Sequence, residues 1–98
     1  MTKDKLIEVL TLYKDHLLGM GYAPRQMTPG EYRTLQPDVG FDVIRRHLLW
    51  MIDECLGKLI PAGEIDKAMR WQGFVQGSLF CAGDYSINQM RDHSRSET

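Results

Sequence analysis

The sequence has few of the features that mark secreted, membrane or nucleic-acid-binding proteins. Only two of its 98 residues are cysteine, too few for a disulfide framework. No apolar run approaches the roughly 20 residues of a membrane span, and none follows the N-terminus as in a signal peptide. The net charge of −1 gives no bulk attraction to nucleic acid or to an anionic membrane. We therefore expect a cytoplasmic protein in which Cys55 and Cys81 are reduced and buried.

Patterns that support catalysis or metal binding are also missing. Gly73 and Gly77 are not followed by the Lys-Ser or Lys-Thr of a phosphate-binding loop, and the cysteines lie in no C-x-x-C pair. His16, His47 and His93 fall one to each of three predicted helices, without the spacing of a metal-binding pair. We expect no catalytic residue, no cofactor and no metal.

The apolar residues recur at three- and four-residue steps, which is typical of helices packed on one face. Thr2 is suited to cap the first helix, Asp38 or Asp42 the second, and Ser86 with Gln89 the last. A short Pro-Ala-Gly connection at residues 61–63 favours an antiparallel hairpin. The sequence predicts an all-α domain over residues 1–98: a small bundle built on this hairpin, with helices at about 3–20, 39–60, 64–82 and 87–93.

The third predicted helix contains two glycines in its interior. Gly73 and Gly77 each cost about 1 kcal/mol relative to alanine in a helix. With Cys81 they form a ridge of small residues on which another backbone can pack closely. The first helix would cover this ridge within a monomer, whereas a second copy would cover it in a two-fold dimer. We favour the dimer, with interface residues Trp71, Gly73, Phe74, Gly77, Phe80 and Cys81.

Between the first two predicted helices lies a proline-containing segment, residues 21–37, that shows no sustained periodicity. Connections of this length are uncommon inside compact domains and are often functional. We predict an irregular loop that binds a partner through Tyr22, Arg25 and Tyr32.

Several stretches of the chain resemble a family of short, uncharacterised helical proteins encoded by tailed bacteriophages and prophages. They are residues 47–55 (HLLWMIDEC), 67–77 (KAMRWQGFVQG), 86–93 (SINQMRDH) and 17–25 (LLGMGYAPR). The resemblance implies a bacterial cytoplasm and a phage origin, and it brings no activity with it. Gln72 departs from the family pattern, where an apolar residue, usually leucine, is expected. It either weakens the apolar packing or bonds across an interface.

Three functional hypotheses follow from these observations. The first is a non-catalytic, homodimeric protein–protein interaction module that binds a host or phage protein. The second is a nucleic-acid-binding accessory factor that uses Arg45 and Arg46, although the basic residues form no single stripe. The third is a small metal-dependent enzyme with a site near His47, Asp53 and Glu54. These residues do not include the additional carboxylates that a magnesium site needs.

Overall fold

The computed structural model describes residues 1–95, and these form helices joined by turns, without a β-strand. The elements are α1 (Lys3–Gly19), α2 (Pro29–Tyr32), α3 (Phe41–Glu54), a π-helical turn (Cys55–Leu59), α4 (Ile65–Cys81) and α5 (Ile87–Ser94). The predicted all-α class is confirmed. Residues 96–98, the end of the predicted domain, lie outside the described part. Among the described helices, none combines the length and the apolar character needed to cross a bilayer.

Helix α1 begins where its capping residue predicts. The Thr2 hydroxyl accepts the backbone N–H of Lys5 at 3.1 Å. After the helix, Gly21 takes a φ of +93°, a conformation that glycine adopts without a Cβ clash. The apolar residues that recur at three- and four-residue steps along α1 face the interior, and the buried ones are Leu6, Val9, Leu10, Tyr13 and Leu17. Burial of these residues is what holds α1 on the bundle.

Helices α3 and α4 form the predicted antiparallel hairpin. Arg45, near the start of α3, bonds to the carbonyl of Ala82, just beyond the end of α4, at 3.2 Å. Further along the pair, the rings of Trp50 and Trp71 lie 6.0 Å apart. Helix α1 packs on both helices, and the core contains residues from all three together with Met90 of α5.

The segment between α1 and α3 is less irregular than predicted. Residues 29–32 form the single turn α2, because Thr28 and Glu31 make a capping box: each side chain accepts the backbone N–H of the other residue. This pair has the same spacing as Ser86 and Gln89, whose predicted capping box begins α5. The signal for α2 is therefore present in the sequence, and the prediction of a wholly irregular loop over 21–37 was wrong.

Both ends of α3 differ from the predicted helix over 39–60. Neither Asp38 nor Asp42 is its N-cap; Gly40 takes that position at a φ of +83°, and no side chain caps the helix. At the other end the chain widens into a π-helical turn, in which Ile60 donates its N–H to the carbonyl of Cys55 at 3.0 Å. Leu59 and Ile60 are both buried there, immediately before the chain turns into α4.

Candidate functional site

One face of α4 points away from the rest of the bundle. It contains Gly73, Phe74, Gly77, Phe80 and Cys81, all of them exposed, and we call it the outward face of α4. Phe74 is 56% exposed and Phe80 45% exposed, which is high for phenylalanine side chains. The face comprises five of the six predicted interface residues. The sixth, Trp71, is half-buried and turns toward Trp50.

The two glycines of this face have open space beside them. A Cβ built on Gly73 or Gly77 would meet no atom of the described residues within 4 Å, apart from the two residues adjacent in sequence and the backbone of the same helix within four residues. Helix α1 therefore does not pack into the glycine ridge, and the intramolecular explanation of these glycines is wrong. The reason is positional: α1 covers the opposite face of α4, where Ala68, Val75 and Leu79 are buried.

A groove of about 810 Å³ runs beside the outward face, between α4 and the segment that precedes α3. We call it the loop groove. Its walls are largely apolar: Met27 and Tyr32 come from the segment, Phe41 and Ile44 from α3, and Phe74 from α4. Gly77, Ser78 and Cys81 complete the α4 side. The fold thus brings the predicted loop and the predicted interface helix together, which the sequence did not indicate.

The three predicted loop residues do not lie at one site. Tyr32 is 54% exposed and lines the loop groove opposite Phe74. Tyr22 is half-buried, and its hydroxyl donates to the Asp42 carboxylate. Arg25 forms a two-point ion pair with Glu31, at 3.0 and 3.2 Å. Of the three, only Tyr32 lines the groove.

His47 fixes this segment to the helical core, a role that the sequence did not reveal. The backbone N–H of Met27 donates to His47 Nδ1 at 3.0 Å, and the imidazole stacks on Trp50 with 5.3 Å between ring centres. Because an N–H can only donate, Nδ1 must be unprotonated, and the neutral ring holds its proton on Nε2. Burial lowers the pKa of His47 below its usual value, against an opposing effect of Glu31.

This geometry predicts that the stability of the protein decreases in mild acid, because His47 holds the segment before α3 only in its neutral form. The free energy of unfolding should have its full value above pH 6.5, the ordinary pKa of imidazole, and should decrease as the pH is lowered from there. The reason is that His47 binds a proton more readily in the unfolded chain than in its buried native position. Urea denaturation at pH 7.5 and at pH 5.2 measures the change. Glu31 does not contribute in this range, because its ordinary pKa of 4.5 and the value of about 2 that it has beside Arg25 both lie below pH 5.2.

The matched variant is His47→Asn, whose amide oxygen replaces Nδ1 as an acceptor without titrating. We expect it to remove most of the difference between the two pH values. His93 also has its pKa lowered by burial, so a smaller dependence should remain. An equal pH dependence in the variant and the native protein would contradict the assignment to His47.

The residues of the enzyme hypothesis are not assembled into a site. Asp53 pairs with Lys14 at 2.9 Å and Glu54 with Lys58 at 3.3 Å, while His47 contacts the loop backbone. Within residues 1–95, no cluster of three or more His, Cys, Asp or Glu side chains is arranged to hold a metal ion.

Arg45 is engaged inside the protein. Its guanidinium contacts both oxygens of Asp84, at 2.6 and 3.2 Å, and His16 contacts the same carboxylate at 3.1 Å. The Asp84 side chain is only 4% exposed. Burial alone would raise its pKa, but the hydrogen bonds from Arg45 and His16 outweigh that effect and lower it. Arg45 is thus unavailable for the proposed nucleic-acid contact, whereas Arg46 remains exposed above the Tyr22 ring.

The two cysteines differ in environment. Cys55 is fully buried, as predicted, and burial raises the pKa of its thiol to about 11. Cys81 is exposed, so the prediction that both are buried was wrong for this residue. It follows Gly77 by four residues and Phe74 by seven, a spacing that places all three on the outward face rather than in the core.

Comparison with known proteins identified no relative whose activity could be assigned to this chain. The candidate site therefore rests on the outward face of α4, the adjoining loop groove and the exposure of their residues. The resemblance to phage and prophage proteins stays a prediction from sequence. No protein-family model, no curated protein and no solved structure matches this chain.

Proposed function

We propose that this chain is a non-catalytic protein–protein interaction module that forms a two-fold homodimer through the outward face of α4. The observation that supports this most directly is the exposure of Gly73 and Gly77 in the middle of the helix. Each lowers helix stability by about 1 kcal/mol, and no contact among the described residues offsets the loss. A second backbone packed on the glycines would offset it.

A second copy suits this face because its projecting and recessed residues allow it to pack on its own copy. Phe74 and Phe80 project beside the ridge, while Gly73 and Gly77 leave depressions along it. In a two-fold contact, each phenylalanine of one copy can fill a depression of the other. Residues 71–82 also contain no charged side chain, so residues that meet their own copies near the axis do not repel.

Light scattering tests the proposal. The native chain should have twice its 11.3 kDa mass at micromolar concentration. Gly73→Leu or Gly77→Leu should reduce this to the monomer mass, because the new side chain keeps the helices apart. Each substitution should also stabilise the helix by about 1 kcal/mol, so a lower molar mass in solution would not be a result of unfolding.

Gly57→Leu is the matched control. Gly57 is an exposed glycine of the π-helical turn, with open space beside it, and it lines none of the grooves described above. Its replacement should leave the mass unchanged. A native chain that is monomeric throughout, or a dimer that persists in both Gly73→Leu and Gly77→Leu, would refute the proposal.

We also propose a phage or prophage origin and a host or phage protein as a further partner. This part is supported by the sequence resemblance, and Tyr32 at the edge of the outward face is the loop residue best placed to contact such a partner. Recovery of a defined phage or host protein with the native chain, and not with Tyr32→Ala, would support it.

A further inference from the structure

The loop groove has the properties of a small-molecule site. Its volume of about 810 Å³ lies within the range of about 300–1,000 Å³ that is usual for ligand pockets. Its walls combine apolar and aromatic side chains with a few polar groups, among them His47 and Ser78. Met27, Tyr32 and Ile44, which come from the segment before α3 and from α3 itself, are not members of the outward face of α4.

His47 provides an unused hydrogen-bond donor at this wall. The residue is only 7% exposed, and its Nδ1 is occupied by the Met27 N–H. Its Nε2 therefore holds the proton, and this N–H donates to no oxygen or nitrogen atom of the described residues. Because His47 lines the loop groove, we infer that a ligand in the groove can accept a hydrogen bond from this donor.

The charges near the groove restrict the ligand. Glu31 lines the wall, and its carboxylate is ionised and already paired with Arg25 at 3.0 Å. Among the described residues, Glu31 is the only charged one that lines the groove, and its charge is balanced by Arg25, so the wall offers no unpaired charge to bind a charged ligand. The arrangement therefore favours an uncharged ligand.

We propose that the loop groove binds a small, uncharged, mostly apolar molecule that presents a carbonyl or ether oxygen to Nε2 of His47. The apolar body of the ligand lies against Tyr32, Ile44 and Phe74, and its oxygen accepts the Nε2 proton in a hydrogen bond. All residues of the site come from a single chain, so it does not need the second copy, although Phe74, Gly77 and Cys81 also belong to the outward face.

Prodan, an uncharged fluorescent naphthyl ketone, is a suitable probe, and its analogue with the carbonyl reduced to a methylene group lacks the acceptor. We expect saturable binding of prodan to the native chain at one site, with the blue shift of an apolar environment. The ketone should bind about tenfold more tightly than the analogue, the difference that one well-formed hydrogen bond makes.

Two variants test whether prodan binds in the loop groove. Ser78→Trp should fill the groove and weaken binding of both probes. His47→Asn keeps an acceptor for the Met27 N–H but removes the Nε2 donor, so it should weaken binding of the ketone alone. If His47→Asn does not fold, the comparison of the two probes on the native chain still decides the role of the donor.

Binding should persist in Gly73→Leu, because Gly73 does not line the loop groove. This variant separates the two proposals, since it can lose the dimer and keep the ligand. The ligand proposal is overturned by an absence of saturable prodan binding, by equal affinity of ketone and analogue, by binding that Ser78→Trp leaves intact, or by binding lost together with the dimer.

Discussion

Replacement of Asp84 by alanine is expected to lower the free energy of unfolding by about 3–5 kcal/mol, the usual effect of removing one partner from a buried ion pair. The variant leaves Arg45, whose side chain is 13% exposed, without its carboxylate. It also removes the contact of His16 with Asp84. Because these residues join α1, α3 and the end of α4, their loss weakens the packing of three helices. Urea or thermal denaturation measures the effect.

A second ion pair of the chain is the natural control. Asp92 and Arg95 lie 3.3 Å apart with side chains 67% and 72% exposed. Exposed pairs contribute between 0 and about 1 kcal/mol, so Asp92→Ala should change stability little. Arg45→Met combined with Asp84→Ala should recover part of the loss, because no unpaired charge then stays buried. Similar effects of Asp84→Ala and Asp92→Ala would contradict the structural role given to Asp84.

Two glutamines one turn apart on α4 should give opposite changes in the free energy of unfolding when each is replaced by leucine. Gln72 is 6% exposed, and its Nε2 has no partner among the described residues. Gln72→Leu removes an unsatisfied buried group and keeps a similar volume, so it should raise the free energy of unfolding by about 1–2 kcal/mol. Since Gln72 is buried within the chain, it is not placed to bond across the outward face.

Gln76 is expected to behave in the opposite way. Its Nε2 donates to the hydroxyl of Tyr13 at 3.0 Å and lies 3.3 Å from the carbonyl of Met90. Gln76→Leu removes these bonds between α1, α4 and α5, and it should lower the free energy of unfolding by about 1–3 kcal/mol. Thermal denaturation of the two variants side by side makes the comparison, and a shift of both in the same direction would refute it.

Much of the candidate site followed from local signals. The mid-helix glycines among aromatic residues indicated the outward face of α4, and five of its predicted residues are exposed there. The loop groove did not follow, because Tyr32 and Phe74 are more than 40 residues apart, and no local pattern shows that they line one groove. The roles of His47 and Asp84 were missed for the same reason, since their partners lie on other elements.

The sequence by itself determined that this chain is helical, where α1 and α5 begin, and that the helices are packed on an apolar face. Caps and three- and four-residue periodicity are properties of neighbouring residues, so they can be read without a fold. Tertiary structure alone decided that the glycine ridge of α4 is left uncovered, that Arg45 is neutralised by Asp84, and that His47 holds the loop. Those outcomes depend on how the helices pack against one another, because packing selects one partner for each side chain from residues distant in the chain.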